Sequence, residues 1–282
     1  MIYAPHQDAT LPEPGIHFDV DPRKLRRWPA LSYSRLKKMR RTPAHGVWDA
    51  ANPSEPSAAM LAGNVTDILV TGGDIDDHLL IAPKRERRKN VDKEWWTAFE
   101  AAARLQDRRV VKADQFEKGR AMAEAVLAHP EARRYIEGLG AFQVGILGEI
   151  DGHPCKALAD WIGEHPDDRG PCAADLKTTK NAGPGYHGFR REVGIFAYHW
   201  QAALSRDLLS QHDAASWRWV WICVESFGSH EVAVWEAPAA CLKDGRDEYR
   251  KAVAAYAACV ENGEWPGYPV ETMMMEWRAN RW

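Results

Sequence analysis

The chain is 282 residues long, with 45% hydrophobic residues, 27% charged residues and a formal net charge of −3. That length is ample for a buried core and allows one large domain. A net-negative chain cannot hold nucleic acid by bulk charge, so any such contact needs a local basic face. Five cysteines, Cys155, Cys172, Cys223, Cys241 and Cys259, lie far apart with no CxxC pair. This excludes a cysteine-built zinc or iron–sulfur centre and a disulfide framework, and it reads as reduced thiols. No run of about 18 apolar residues could span a membrane. The start carries no basic-then-apolar leader. The expected compartment is the cytoplasm, with no membrane partner.

Residues 1–30, rich in Pro, read as an extended arm. Ser32 or Ser34 would cap a short helix with Leu36 and Met39 on one side and Lys37, Lys38, Arg40 and Arg41 on the other. Residues 42–57 read as loop, and a helix follows from about Ser57 to Val70, stopped by Gly72-Gly73. The basic run at 83–90 precedes Trp95 and Trp96. Such runs are commonly solvated faces, yet with the 37–41 segment this one supplies the candidate DNA-binding residues Lys37, Lys38, Arg40, Arg85, Arg87 and Arg88. Ala-rich helices are expected over 93–106 and 113–129, completing a helical N-terminal part over 31–140. From 141 the texture changes. FQVGILGEI, CKALADWIG and PCAADLKTT are three β-rich runs divided by turn signals. One long helix over 188–210 carries Phe189, Val193, Phe196, Trp200, Ala203 and Leu208 on a stripe. Two more strands turn at 227–229, and a last helix over 238–262 would bury Tyr249, Val253, Tyr256 and Val260. The order predicts one integrated α/β domain whose core, 141–282, has a mixed central sheet.

Asp160 and Asp175-Leu176-Lys177 are separated by fourteen residues, each acid on a predicted strand. Residues two apart on a strand share a face, so Asp175 and Lys177 project together, and Asp160 can lie opposite Asp175 if the strands pair. Two carboxylates and an ammonium brought together invite a cation, and hard oxygen ligands suit Mg²⁺ or Mn²⁺. Such an ion lowers the pKa of a bound water and neutralises a phosphate. Lys177 would orient the attacking water or offset charge in the transition state. Glu149, ending the preceding strand, could extend the metal site or position a water. An isolated Asp-x-Lys is by itself a common surface pair.

More specific is the ordered set LSYSRLKKMRRTPAHGVW, AMLAGNVTDILV, LGEIDGHPCKALADWIG, AADLKTTKNA, FAYHWQAAL and EWPGYPVETMMMEW. From about Leu31 to the C-terminus it resembles the RecE-type (exonuclease VIII-like) phage and prophage exonucleases of the PD-(D/E)XK superfamily. The resemblance implies a restriction-endonuclease-like core with a mixed central sheet flanked by helices. It implies Asp160 and Asp175 as metal-binding acids and Lys177 as the catalytic lysine. Thr178 follows in the Asp-x-Lys-Thr pattern, and Tyr198 and Gln201 match the helix motif that supports the site or meets DNA. Three positions depart from the family. Asp67 stands where a metal-binding His is expected after Gly63, Leu158-Ala159 replaces Arg-Pro, and Ser205 replaces a Tyr. Aspartate ligates magnesium readily, so Asp67 joins Asp160 and Asp175 as an expected metal ligand.

The implied function is a metal-dependent deoxyribonuclease acting on double-stranded DNA ends and leaving 3′ single-stranded tails for recombination. The resemblance also implies a homo-oligomer, with a ring-shaped tetramer as the expected form, and a single-strand annealing protein as functional partner. Two alternatives stand beside it: an endonuclease or RecB-like nuclease of the same superfamily, and a catalytically silent DNA-end-binding protein, a reading fed by Asp67.

Overall fold

The computed structural model describes residues 10–83 and 90–275. The strands are β1 (Gly15–His17), β2 (Leu31–Ser32), β3 (Leu79–Ala82), β4 (Arg109–Lys112), β5 (Ala141–Ile150), β6 (His153–Glu164), β7 (Pro171–Thr179), β8 (Arg218–Glu225) and β9 (Val232–Glu236). A seven-stranded mixed sheet runs β1-β5-β6-β7-β8-β9, with β2 added alongside β6, and β3 pairs with β4 separately. Asp151 and Gly152 join β5 to β6 with φ of 50° and 78°. A two-residue hairpin that matches strand twist needs positive φ at both positions, which is why Asp-Gly serves here. β8 lies between parallel β7 and antiparallel β9. Its residues 219–224 are all buried, the near-continuous apolar run required of a strand covered on both faces.

Helices cover both faces, so the architecture is the α/β one expected. On one side lie α2 (Tyr33–Lys38), α9 (Phe189–Phe196), α10 (Tyr198–His212) and α11 (Ala239–Asn262). They pack Leu36, Trp200, Leu204, Leu208 and Tyr249 on Trp219 and Trp221. On the other lie α4 (Ala58–Val70), α7 (Ala113–Ala128) and α8 (Pro130–Gly138), with Met122, Val126 and Tyr135 set against Trp161, Leu176 and Ile222. The rest are α1 (Pro22–Arg27), α3 (Pro43–Ala51), α5 (Ile75–His78) and α6 (Asn90–Leu105).

Several elements differ from the sequence reading. The stretch read as an arm holds β1, paired with β5, and α1, which Asp21 caps by accepting from the Arg23 N–H at 2.7 Å. Three carbonyls at the end of α1, from Leu25, Arg26 and Trp28, accept bonds from the buried Lys156 ammonium at 2.7, 3.0 and 2.6 Å. An ammonium has three donors, so all three are used. The 42–57 stretch contains α3, capped by Thr42, and α8 follows His129. The single helix expected over 188–210 breaks at Ala197, buried in the left-handed region at φ 55° and ψ 38°. For a residue with a Cβ that costs roughly 1–2 kcal/mol, and it turns the start of α10 away from the line of α9. Val260, expected to be buried, is exposed. All five cysteines are free thiols. Among the described residues no helix is long and apolar enough to cross a membrane.

Candidate active site

The site lies where β6 and β7 part. Their antiparallel pairing runs from Glu164–Pro171 to Trp161–Ala174, and the next position would set Asp160 against Asp175. There the side chain of Asp160 intervenes, its Oδ2 accepting the Leu176 N–H at 2.7 Å. A carboxylate oxygen thus takes the bond a strand carbonyl would otherwise receive, and the ladder opens. On the other edge of β6 the pairing with β5 lapses at the same level, between Phe142–Trp161 and Val144–Ala159, with Gln143 at φ 50°. β7 stays straight through this point because it remains paired with β8 from Cys172 to Thr179. Asp175 and Lys177 therefore share one face at a fixed register.

Helices complete the site from both sides. Gln201, in the first turn of α10, donates from Nε2 to Asp175 Oδ1 at 2.7 Å. The Lys177 ammonium lies against Asp175 Oδ2 and 5.0 Å from the centre of the Tyr198 ring. Tyr33 of α2 donates to the Phe196 carbonyl at 3.2 Å, and Lys37 donates to the Tyr33 hydroxyl at the same distance. From the opposite side comes α4. A Cβ on Gly63 would fall 2.9 Å from Thr178 Oγ1, so glycine here lets the helix sit directly on β7. Asp67, one turn later, then reaches the strand-borne acids.

The electrostatics show how tightly these groups are coupled. Burial pushes the Asp160 carboxyl well above the usual range, and Asp175 and Asp67 push it further, against Lys177 and the Leu176 N–H. The Asp67 carboxyl is pushed up to about 6, by burial first and Asp175 second, with Lys177 opposing. For Lys177 burial disfavours the charge, but Asp175, then Tyr198, Asp160 and Tyr33, override it, and its pKa rises. The Lys37 ammonium is pushed down by burial and by Lys177. Three acids repelling one another, Asp160 and Asp175 buried and Asp67 half-buried, are a costly arrangement unless positive charge joins them.

Among the described residues no group of three or more His, Cys, Asp and Glu side chains is gathered as a finished coordination cluster. The Lys177 ammonium instead supplies the positive charge at Asp175. The donors nonetheless fit a divalent cation. Asp175 Oδ2 is buried, with the Lys177 ammonium against it and no hydrogen bond besides, and closely gathered carboxylate oxygens are what a hard cation takes.

Other expected residues fall elsewhere. Glu149 pairs with Pro154 beside the hairpin turn and is exposed. Asp160 lies six residues further along β6, about 20 Å at the strand rise. Antiparallel pairing thus carries Glu149 away from the site, and it is no part of it. Lys38 donates to the Asp49 carbonyl at the end of α3, and Arg40 to the Gly194 and Ile195 carbonyls at the end of α9. Both serve helix ends, as basic residues often do. Arg85, Arg87 and Arg88 lie outside the described residues. His165, just past the end of β6, is buried and bonded to the Tyr135 hydroxyl at 2.8 Å, away from the site.

One feature went unanticipated. A cavity of about 340 Å³ opens beside Asp67 and Asn64, lined by Arg23, Arg26, Arg104, Arg108 and Arg109. The Asn64 Nδ2 is buried without a hydrogen-bond partner. The Arg26 guanidinium is pushed down, by burial first and then by Arg109. Arg23 and Arg26 come from α1, Arg104 from α6, and Arg108 and Arg109 from the entry to β4, so only tertiary structure assembles them.

Residues 32–275 match the family described as a PDDEXK-like domain of unknown function (DUF3799). The chain belongs to this PDDEXK-like family. Among solved structures it is similar to a candidate exonuclease from Eubacterium rectale, with a TM-score of 0.58 and 14% sequence identity over 89% of this chain and 91% of that one. At that identity the likeness speaks for the fold, which is the PD-(D/E)XK nuclease fold. No curated protein matches the sequence. PD-(D/E)XK nucleases generally use divalent metal ions, and in this PDDEXK-like chain the acids at the opened strand pair are the groups placed to hold one.

Proposed function

We propose that the protein is a divalent-metal-dependent deoxyribonuclease that hydrolyses double-stranded DNA from its ends. The observation that carries the reading is the convergence of Asp160, Asp175, Lys177 and Asp67 where β6 and β7 separate. Asp67, Asp160 and Asp175 would hold Mg²⁺ or Mn²⁺. When bound, such an ion polarises the scissile phosphate and acidifies water.

The chain's own groups do the rest. Gln201 fixes one oxygen of Asp175, so the other faces the reaction. Lys177, backed by the Tyr198 ring, turns its ammonium from Asp175 toward the phosphate, where it orients water and offsets developing charge. Thr178 holds the strand end against Gly63. The arginine-lined cavity beside Asp67 and Lys37 beside Tyr33 offer positive charge to flanking phosphates, which a net-negative protein must concentrate locally.

The ordered resemblance to RecE-type exonucleases, with the candidate exonuclease among similar structures, supports the finer reading. The product would be a 3′ single-stranded tail for recombination, made by a ring-shaped homo-oligomer beside an annealing protein. The test compares linear and closed circular duplex DNA, with Mg²⁺ or with EDTA. Loss of the linear form alone, in Mg²⁺ alone, is the expected result. Cutting of the circle would make the protein an endonuclease, and bound but uncut ends would make it a silent end-binding protein.

A further inference from the structure

A second cavity, of about 770 Å³, opens on the same sheet face as Asp175 and Lys177, and no part of the mechanism uses it. Pairing register places Asp175, Trp221 and Trp235 in one row across β7, β8 and β9. Adjacent strands lie about 4.8 Å apart, so the two tryptophans stand about 5 and 10 Å from the catalytic acid. Phe189 bridges the row to the site. Its ring packs edge-on against Trp221 at 5.6 Å and nearly parallel to Tyr198 at 6.1 Å, and Tyr198 in turn contacts Lys177. Tyr186, in the Gly/Pro-rich loop at the cavity mouth, leaves 73% of its surface exposed.

Two observations narrow the occupant. Trp221 is 2% exposed, and its indole N–H is buried with no hydrogen-bond partner. Such an orphan donor is costly unless a ligand supplies an acceptor. The polar lining is acidic: Glu236, Asp244 and Glu248 stand against the single arginine Arg190. Glu236 is already paired with Arg169 and Arg218, and Glu248 with His199. Offset in this way, the lining offers no surplus positive charge to hold a phosphate, and it suits an uncharged ring carrying acceptors and N–H donors. The volume falls within the usual range of small-ligand cavities, about 300–1,000 Å³.

We propose that this aromatic cavity receives the unstacked nucleobase next to the phosphodiester held at Asp175 and Lys177. The inference rests on the nuclease reading and deepens it. The enzyme would grip its strand by a base as well as by its phosphates, and strand separation at the end would precede cutting. Base–aromatic stacking tolerates any sequence, because every base has a π face, so the cavity adds affinity without sequence preference.

The experiment measures affinity for a linear duplex with Ca²⁺ replacing Mg²⁺, with either a normal nucleotide or an abasic analogue flanking the first phosphodiester. For the wild-type protein the abasic end should bind about tenfold more weakly, as expected for one lost stack. Tyr186→Ala, at an exposed position, and Trp235→Leu should bind both ends alike, near the weaker value. Equal binding of the two ends by the wild type, or discrimination retained in both variants, overturns the proposal. So does a Tyr186→Ala protein that keeps its DNA affinity but loses self-association, which would give the cavity to a second copy. Base discrimination without hydrolysis in Mg²⁺ sinks the nuclease reading alone. Hydrolysis without discrimination sinks the cavity alone, and failure to bind DNA sinks both.

Discussion

The acids carried by strands and the acid carried by a helix reach the same place by different routes. Asp160, Asp175 and Lys177 are positioned by sheet register: β7 is pinned to β8 over eight residue pairs, and Asp160 is tied to it through the Leu176 N–H. Asp67 depends instead on how closely α4 approaches β7, a distance set by the contact of Gly63 with Thr178. Register is local and strongly specified wherever a face is buried. A helix's height above a sheet is a packing result and yields to small changes. The strand-borne half should therefore fail by chemistry and the helix-borne half by displacement.

Replacing a strand-borne group tests the first half and should give the largest effect. Asp175→Asn and Lys177→Met should each lower kcat on linear duplex by about 10²–10³-fold or more in single-turnover assays, as loss of a transition-state contact does. Asp175→Asn should retain the fold, since Asn keeps the size of Asp and the bond to Gln201 can survive an amide flip. A variant still cutting within tenfold of the wild type would remove the strand-borne pair from the chemistry.

The helix-borne acid should matter less. Asp67→Ala should weaken Mn²⁺ binding by roughly 10–100-fold, a magnitude typical of groups that tune a metal site, while Asp67→His should retain more affinity than the Ala variant. Calorimetric titration distinguishes them. Equal losses for Ala and His would mean that α4 contributes no ligand.

The pH dependence probes the same carboxyl. An Asp ordinarily titrates near 3.9, but folded Asp67 is pushed up to about 6. Between those values the folded protein holds a proton that the unfolded chain has released. Its contribution is therefore fully present below about pH 4 and is lost as pH rises through about 6, by at most about 1.4 kcal/mol per pH unit. In EDTA the Tm should fall over that window, less steeply in Asp67→Asn, and Mn²⁺ should restore it, because binding holds the carboxylate ionised. A Tm difference between wild type and Asp67→Asn that is flat from pH 4 to 7 would contradict this.

A smaller effect is expected from packing alone. Gly63→Ala should lower kcat about tenfold, since displacements of the order of 1 Å can cost up to about 10² in rate. Adding Thr178→Ala, which removes the atoms the new Cβ meets, should recover part of it. No recovery would mean that α4 is held elsewhere. At the bottom of the scale, Glu149→Gln should leave kcat within twofold, because it sits at the far end of the β5–β6 hairpin.

The same contrast explains what could be read from the sequence. The alternation of PCAADLKTT and its spacing from Asp160 fixed strand, face and partner, because a period of two leaves little freedom. Gln201 and Tyr198 were found by motif, but not the break at Ala197 that aims them, since alanine gives no local sign of a left-handed residue. Glu149 was misplaced because closeness to Asp160 in sequence was taken for closeness in space, which a hairpin reverses. The missed helices α1, α3 and α8 had a signature after all. Asp21-Pro22, Thr42-Pro43 and His129-Pro130 each set a capping side chain before a proline at the first helical position, a start signal rather than a loop signal. The arginine cavity had none, because its residues meet only through tertiary packing of α1, α4, α6 and β4.

The central claim is that helix-borne and strand-borne acids form one divalent-cation site. Crystals of the wild-type protein soaked in Mn²⁺ and measured for anomalous scattering test it most directly. The account predicts one dominant peak within coordination distance of Asp67, Asp160 and Asp175, with the Lys177 ammonium displaced from Asp175. A Lys177–Asp175 ion pair left intact, with manganese absent from these three carboxylates, would contradict it.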